Sequence, residues 1–236
     1  MPVLPIEMRF GAIAVAAGLP IMDIYERGAA ADYKPDGSPV TEADTQAEAL
    51  ILARLAATCP DLPVVAEESM AAGLCGPVNC KRFILVDPLD GTKEFIHRRD
   101  EFTVNIALIE EGQPVAGAIY APALGKLWIG GARGARSCMV DPGAALPRDN
   151  DWLAIHTRRW PGAEAVGVAS RSHADAETDA FLARMTIGDR RSRGSSLKFC
   201  LLAKGEADLY PRFGPTMEWD IAAGHAILVA AGGCVT

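Results

Sequence analysis

Apolar residues recur at helical spacing over residues 6 to 27 and again over 42 to 57, and beyond these segments the period shortens to that of strands. LPVVAEES reads as a buried strand over Leu62 to Ala66 that ends at Glu67 and Glu68, and FILVDPLD as a second strand ending at Asp87 and Asp90. FTVNIALIEEGQPVAGAIYAPALGKLWIGG supplies three β-rich runs broken at Glu111-Gly112 and from Pro122 to Gly125, which predicts an antiparallel meander. From Gly130 to Asn150 the composition turns to Gly, Pro, Arg and Asp, so a boundary is expected near residue 150, dividing the chain into 1–150 and 151–236. Past it AVGVAS, DAETDAFLARM and LKFCLLAKGEADLYP alternate as strand, helix and strand, and EWDIAAGHAILVAAGG predicts a long apolar helix closing near Gly232-Gly233. The alternation favours a layered α/β second half.

The chemistry sits at the ends of these elements. Asp87 and Asp90 stand three positions apart at a corner stiffened by Pro88, which has no N–H to give a ladder. Carboxylates held so close repel unless a cation lies between them, and hard oxygen ligands on a short loop suit Mg²⁺. Gly91 permits close backbone approach, and the amides of Gly91, Thr92 and Lys93 open a predicted helix whose free donors favour an anion. Asp-Pro-x-Asp-Gly is also ordinary β-turn chemistry. Three further segments each place an acid at the end of an apolar element: Glu67 and Glu68, Asp220 at the start of the last helix, and Asp44 with Thr41 at the start of the second. As single sites, Asp220 reads equally as an N-cap and Thr41 with Asp44 as a capping pair. Taken together they match the converging carboxylates of a two-metal phosphatase.

Composition narrows the classes. Of 236 residues 50% are hydrophobic and the formal charge is −7, which argues against a nucleic-acid duplex or an anionic membrane as partner, since either would want a basic stripe. The apolar centre of MPVLPIEMRFGAIAVAAGLPIMDIY lacks a cationic start and a cleavage pattern, and no run of about 20 apolar residues is expected to span a bilayer. The chain is therefore expected in the cytoplasm. Cys59, Cys75, Cys80, Cys138, Cys200 and Cys234 are scattered, and the close pair Cys75 and Cys80 reads as free thiols in a loop. IGGARG lacks dinucleotide-fingerprint spacing and reads as a hairpin turn. His97, His156, His173 and His225 are too dispersed for a triad or zinc cluster, and His225 reads as a core histidine.

VTEAD, AEES, DPLDGT and WDIAAG, in this order and spacing, resemble the inositol monophosphatase superfamily of Mg²⁺-dependent, lithium-sensitive phosphatases, and the likeness spans essentially the whole chain. Within it DPLDGTKEF, SRSH at 170 to 173 and RGSSLKFCLLAKGEADLYPRFGPTMEWDIAAGH are similar to the bacterial 3′(2′),5′-bisphosphate nucleotidases. The resemblance implies a layered α-β-α-β-α fold and conversion of adenosine 3′,5′-bisphosphate to AMP and phosphate. It implies that Glu67, Asp87 and the Leu89 carbonyl hold one Mg²⁺, that Asp87, Asp90 and Asp220 hold another, and that a third, weaker ion sits near Glu67. It gives catalytic roles to Asp44, Glu67 and Thr92, with the Thr92 hydroxyl, oriented by Asp44, positioning a water. Backbone donors of Gly91 and Thr92 would align the phosphate, and Lys93 reads either as a further substrate contact or as a solvated group.

Where inositol phosphatases carry an acid shortly before WD, this chain has Arg212. A guanidinium grips phosphate bidentately, which favours a bisphosphorylated nucleotide over a polyol monophosphate. Ser195, Ser196 and Lys198, after Gly194, read either as contacts to the ribose or second phosphate or as a solvated loop and helix start. An inositol or sugar monophosphatase stays as the alternative, since it shares every metal ligand. A non-catalytic metal-binding protein is disfavoured because all the expected acids and Thr92 are present. A homodimer and a peripheral contact with the inner membrane surface stay open. Related chains continue past the position of Thr236, so either the sequence is truncated there or the second part lacks its last strands.

Overall fold

The computed structural model describes residues 4–28, 30–34, 37–74, 80–171 and 176–236. Helix α1 (Ile6–Arg27) is followed by a hairpin of β1 (Ala31–Tyr33) and β2 (Pro39–Thr41), then α2 (Glu42–Thr58). Next come β3 (Val64–Ala66), the short α3 (Glu67–Ala71), β4 (Arg82–Asp90) and the short α4 (Thr92–Ile96). The meander β5 (Thr103–Glu110), β6 (Gln113–Ala121), β7 (Lys126–Gly131) and β8 (Gly134–Met139) leads to β9 (Leu153–Ile155). The last elements are β10 (Val166–Ser170), α5 (Ala176–Arg184), β11 (Asp189–Arg193), α6 (Leu197–Ala203) and α7 (Glu218–Ala230).

Strands β3 to β9 form one seven-stranded sheet in sequence order, with β3 and β4 parallel and every later pair antiparallel. Ile84 and Val86 of β4 face α1 and α2, whereas Phe83 and Leu85 face α6 and α7, so this strand is buried on both sides and reads as a continuous apolar run. Val166 and Val168 of β10 pack under α6 and α7, and α5 covers the outer side of the parallel β10–β11 pair, where Leu182 meets Gly167. The order of layers is α-β-α-β-α, as the resemblance implies.

Three expectations need correction. The second strand of the latter half is Asp189–Arg193 and not LKFCLLA, which forms α6. DRRSR lies on an exposed edge and so carries no apolar pattern, while α6 is buried nearly all round and so shows no helical stripe. The strand before Glu67 is only Val64–Ala66, and Glu67 and Glu68 form the first turn of α3. Among the described residues α1 is long and apolar enough to cross a membrane by length and composition, which the sequence reading did not expect; 67% of that window is buried inside the fold, as befits a core helix.

The boundary placed near residue 150 falls between β8 and β9, which pair in the same sheet, and α7 from beyond it packs on β5, β6 and β7. IGGARG is the β7–β8 hairpin. Cys80 is a free, exposed thiol, and Cys75 lies outside the described residues.

Candidate active site

Parallel β3 and β4 end at the same edge of the sheet, which brings Glu67 beside the Asp87–Asp90 corner. The pairing of β4 with β5 shifts register between Asp87 and Asp90, where Pro88 interrupts the ladder. Asp87 accepts the Leu89 amide at 3.1 Å through Oδ1 and continues the alternation of Phe83 and Leu85, toward α6 and α7. Gly91 then turns with φ 93°, and a Cβ there would lie 3.1 Å from the Glu101 carbonyl oxygen, so the turn admits no side chain without movement.

That turn starts α4 at Thr92. Its Oγ1 lies 3.1 Å from Asp44 Oδ1 and 3.2 Å from the Leu89 carbonyl oxygen. The other Asp44 oxygen accepts from Thr41 N at 2.8 Å and Thr41 Oγ1 at 2.7 Å, which is the capping contact at the start of α2. Asp44 thus makes the capping contact with one oxygen and meets Thr92 with the other.

One cleft of about 360 Å³ is lined by Glu67, Asp87, Leu89, Asp90 and Asp220, by Gly91, Thr92 and Lys93, and by Ser195, Ser196, Lys198 and Arg212. Of the expected site residues only Asp44 and Gly194 stand behind it. Asp44 is buried under Thr92, and the Gly194 amide donates to Glu101 Oε2 at 2.8 Å. Ser172 and His173 of the SRSH segment lie outside the described residues.

Each acid has its own polar partners. Glu48 receives the amides of Glu68 and Ser69 at 2.8 Å each and so fixes the first turn of α3. Lys34 Nζ sits 2.7 Å from Glu67 Oε1 and 2.7 Å from Glu68 Oε1. Asp90 Oδ2 accepts from Ser195 Oγ at 2.8 Å and Ser196 Oγ at 2.9 Å. Asp220, in the first turn of α7, accepts from Thr216 Oγ1 at 2.8 Å and from the Met217 amide at 3.1 Å through Oδ2. With the acids turned to these partners, no three His, Cys, Asp or Glu side chains among the described residues form a ready-made metal cage.

Burial first, then the charges of Glu67, Asp90, Asp220 and Asp44, hold the Asp87 pKa well above the usual carboxylate range. Burial, with the Asp90 charge behind it, also raises Asp220. Glu67 is raised by burial, against the hydrogen bond from Lys34. Burial opposes the charge on Lys34, yet its bonds to Glu67 and Glu68 leave its pKa raised. Lys198, whose ammonium stands 5.3 Å over the Tyr210 ring, is lowered by burial. Arg212 donates to the Pro215 carbonyl at 2.7 Å, and its Nε is buried with no protein partner.

Lys34, Glu48, Thr103, Asn105 and Glu101 were missed by sequence reasoning. Lys34 stands in a loop with no pattern around it, and Glu101 ends the charged run Arg98-Arg99-Asp100-Glu101, which reads as a solvated loop. Thr103 and Asn105 carried a usable signal, since both interrupt an otherwise apolar strand.

The chain matches the model of the Inositol monophosphatase family over residues 6–236. It is 46% identical over 224 residues to a 3′(2′),5′-bisphosphate nucleotidase of Salmonella typhimurium, covering 93% of this chain and 85% of the relative. The counterpart from Escherichia coli K12 is 44% identical over the same shares. Among solved structures, a CysQ from Bacteroides thetaiotaomicron, described as a bacterial member of the inositol monophosphatase family, superposes with a TM-score of 0.79 at 39% identity, over 96% of this chain and 86% of that one. An inositol monophosphatase from Zymomonas mobilis gives 0.75 at 28% identity, over 96% and 83%.

Proposed function

The chain belongs to the inositol monophosphatase family, and from that premise we propose that its cleft removes the 3′-phosphate of adenosine 3′,5′-bisphosphate, giving AMP and phosphate, with Mg²⁺ as cofactor. The observation that carries this reading is the meeting, in one cleft, of Glu67, Asp87, Asp90 and Asp220 with a Thr92 hydroxyl held by Asp44. The nucleotidase relatives at 44 to 46% identity support the substrate.

The donor set suits Mg²⁺. Every candidate ligand is a hard oxygen, and buried Asp87 is surrounded by like charges whose repulsion a cation relieves. Glu67, Asp87 and the Leu89 carbonyl would hold one ion, and Asp87, Asp90 and Asp220 a second. When bound, such ions lower the pKa of water and offset charge on the phosphoryl oxygens.

The protein's own groups set direction. Asp44 accepts the Thr92 proton, so the Thr92 oxygen turns a lone pair to a water in the cleft and aims it at phosphorus. Gly91, Thr92 and Lys93 would hold the reacting phosphate, and Arg212 and Lys198, which line the same cleft, would receive the second phosphate.

A Mg²⁺-dependent phosphate-release panel tests the proposal, comparing adenosine 3′,5′-bisphosphate, inositol 1-phosphate and fructose 1,6-bisphosphate, each with and without lithium. The bisphosphonucleoside is expected to have the highest kcat/KM and lithium to inhibit. A higher kcat/KM for inositol 1-phosphate would overturn the substrate, and release independent of Mg²⁺ would overturn the cofactor.

A further inference from the structure

Strand β5 places two buried polar side chains behind the acids. Its pairing with β4 sets Thr103 opposite Asp90 and Asn105 opposite Asp87. With a period of two, both share the face that holds Ala107 and Ile109, toward α6 and α7. Both are essentially inaccessible to solvent, at 0% and 1% exposure. Polar groups buried this deeply need partners.

Their partners form a ring. Thr103 Oγ1 lies 3.0 Å from Asn105 Oδ1 and 2.5 Å from Ser195 Oγ. Asn105 Nδ2 donates to Ser196 Oγ at 2.9 Å. The two serine hydroxyls then meet on a single atom, Asp90 Oδ2, and Ser196 Oγ also lies 2.9 Å from the Asp220 carbonyl oxygen. The ring thus ties the β4 corner and the first turn of α7 to one strand.

Counting protons gives the ring a direction. The Asp90 carboxylate and the Asp220 carbonyl only accept. Ser196 has one proton, and because Asn105 donates to its oxygen, that proton is left for Asp90 and the Asp220 carbonyl. The Asn105 amide oxygen can only accept, so the one Thr103 proton goes to it and holds the amide with Nδ2 toward Ser196, while the Ser195 proton is shared between Thr103 Oγ1 and Asp90 Oδ2. Reversing the Asn105 amide would draw the Ser196 proton away from Asp90.

We propose that Asn105 is a positioning residue for the cation site: oriented by the Thr103 hydroxyl, it directs the Ser196 proton onto Asp90 Oδ2, so that Asp90 is held through one oxygen and offers the other to the cleft. This rests on the reading of Asp90 as a cation ligand given above. The same geometry explains why an apolar strand carries an amide beside the acids, where a hydrophobic residue would leave two hydroxyls free to rotate.

The test uses the full chain and Mg²⁺ itself as the probe, read as the Mg²⁺-dependent rise in melting temperature and, separately, as the Mg²⁺ concentration that half-activates phosphate release. N105L keeps the side-chain shape and removes the amide; T103V keeps the β-branched strand residue and removes the hydroxyl. For N105L both readouts are expected to shift to about 10- to 100-fold higher Mg²⁺, the range for partners that orient metal ligands. T103V is expected to shift them less. KM at saturating Mg²⁺ should stay within about threefold, since the substrate-facing groups are unchanged. A merely structural Asn105 would lower the melting temperature and leave the Mg²⁺ midpoint where it was, and that result in folded N105L overturns the inference. Should N105L fail to fold, T103V decides by the same criterion. A wild-type protein that neither responds to Mg²⁺ nor releases phosphate would instead overturn the proposed function.

Discussion

Thr92 Oγ1 lies 3.1 Å from Asp44 Oδ1, joining the first turn of α4 to the first turn of α2 across 48 residues of chain. Asp44 holds its capping contact with the other oxygen, so the helix start serves as a rigid mount for the hydroxyl. T92A is expected to lower kcat by about 10²- to 10⁴-fold, the usual scale for losing a positioned proton-transfer partner, and T92S to keep most activity. Melting of T92A should stay within about 1 kcal/mol of wild type, because the lost bond lies at the cleft wall. D44N should lose both turnover and stability, about 1 kcal/mol of the latter through the weakened cap at Thr41. Steady-state kinetics beside thermal melts separate the two effects; equal activity of T92A and wild type would remove Thr92 from the mechanism.

A second prediction follows from the raised pKa of Asp87. In the unfolded chain this group titrates near the usual Asp value of about 3.9, and in the fold it titrates higher, so between the two values the native state binds more protons. Stability of the metal-free protein is therefore predicted to fall as pH rises from about 4 through the folded pKa, by the contribution of this group. Mg²⁺ competes with those protons, so its stabilising effect should grow as pH rises from about 4 through the folded pKa. D87N should raise the metal-free melting temperature at the upper end of that range and abolish the Mg²⁺ increment. Thermal melts with and without millimolar Mg²⁺ measure this, and a Mg²⁺ increment that is flat with pH would contradict it.

Arg212 gives a third. Its Nε is buried without a partner while another nitrogen holds the Pro215 carbonyl, so the guanidinium is fixed beside the cleft with a donor left unpaired. R212A is expected to raise KM for adenosine 3′,5′-bisphosphate by about 10- to 100-fold, the value of a charge-assisted hydrogen bond, with little effect on inositol 1-phosphate. R212K should recover only part, because an ammonium cannot form the paired bonds of the planar fork. Equal losses on both substrates would mean that Arg212 supports the loop and does not choose the substrate.

Much of the site was legible because its acids end apolar elements. FILV leads into Asp87 and WDIAAG opens on Asp220, and that contrast of polarity survives without any knowledge of the fold. The meander was legible through its turns. Strand β11 was not, since DRRSR is polar at every position and leaves no alternation to detect, and α6 was misread because burial on nearly every side removes the polar face that marks a helix. Lys34 had no local signal at all: its role beside Glu67 and Glu68 depends on a tertiary contact across 33 and 34 residues. Asp44 and Asp220 teach a different point. Capping and site chemistry were set as alternatives, yet Asp44 caps α2 with one oxygen and meets Thr92 with the other, and Asp220 reaches back to the Met217 amide while lining the cleft.

The seat of Asp220 supplies the last prediction. Helix α7 lies against β5, β6 and β7, and at Gly130 a Cβ would stand 2.5 Å from Ile227 Cα and 3.2 Å from the Ala226 carbonyl oxygen. Those are backbone atoms, so no rotamer change can make room, and G130A must push the helix off the sheet. Overpacking of this kind costs about 1–3 kcal/mol. The displacement should be felt beyond stability, because α7 begins with the turn that carries Asp220 and whose carbonyl meets Ser196 at 2.9 Å. G130A is therefore expected to lower the melting temperature and also to raise the Mg²⁺ concentration needed for half-maximal stabilisation, although Gly130 itself is not among the residues lining the cleft. A destabilised variant with a wild-type Mg²⁺ midpoint would show that the strain is absorbed before it reaches the start of the helix; unchanged melting would show that α7 is not pressed against β7 as closely as this geometry requires.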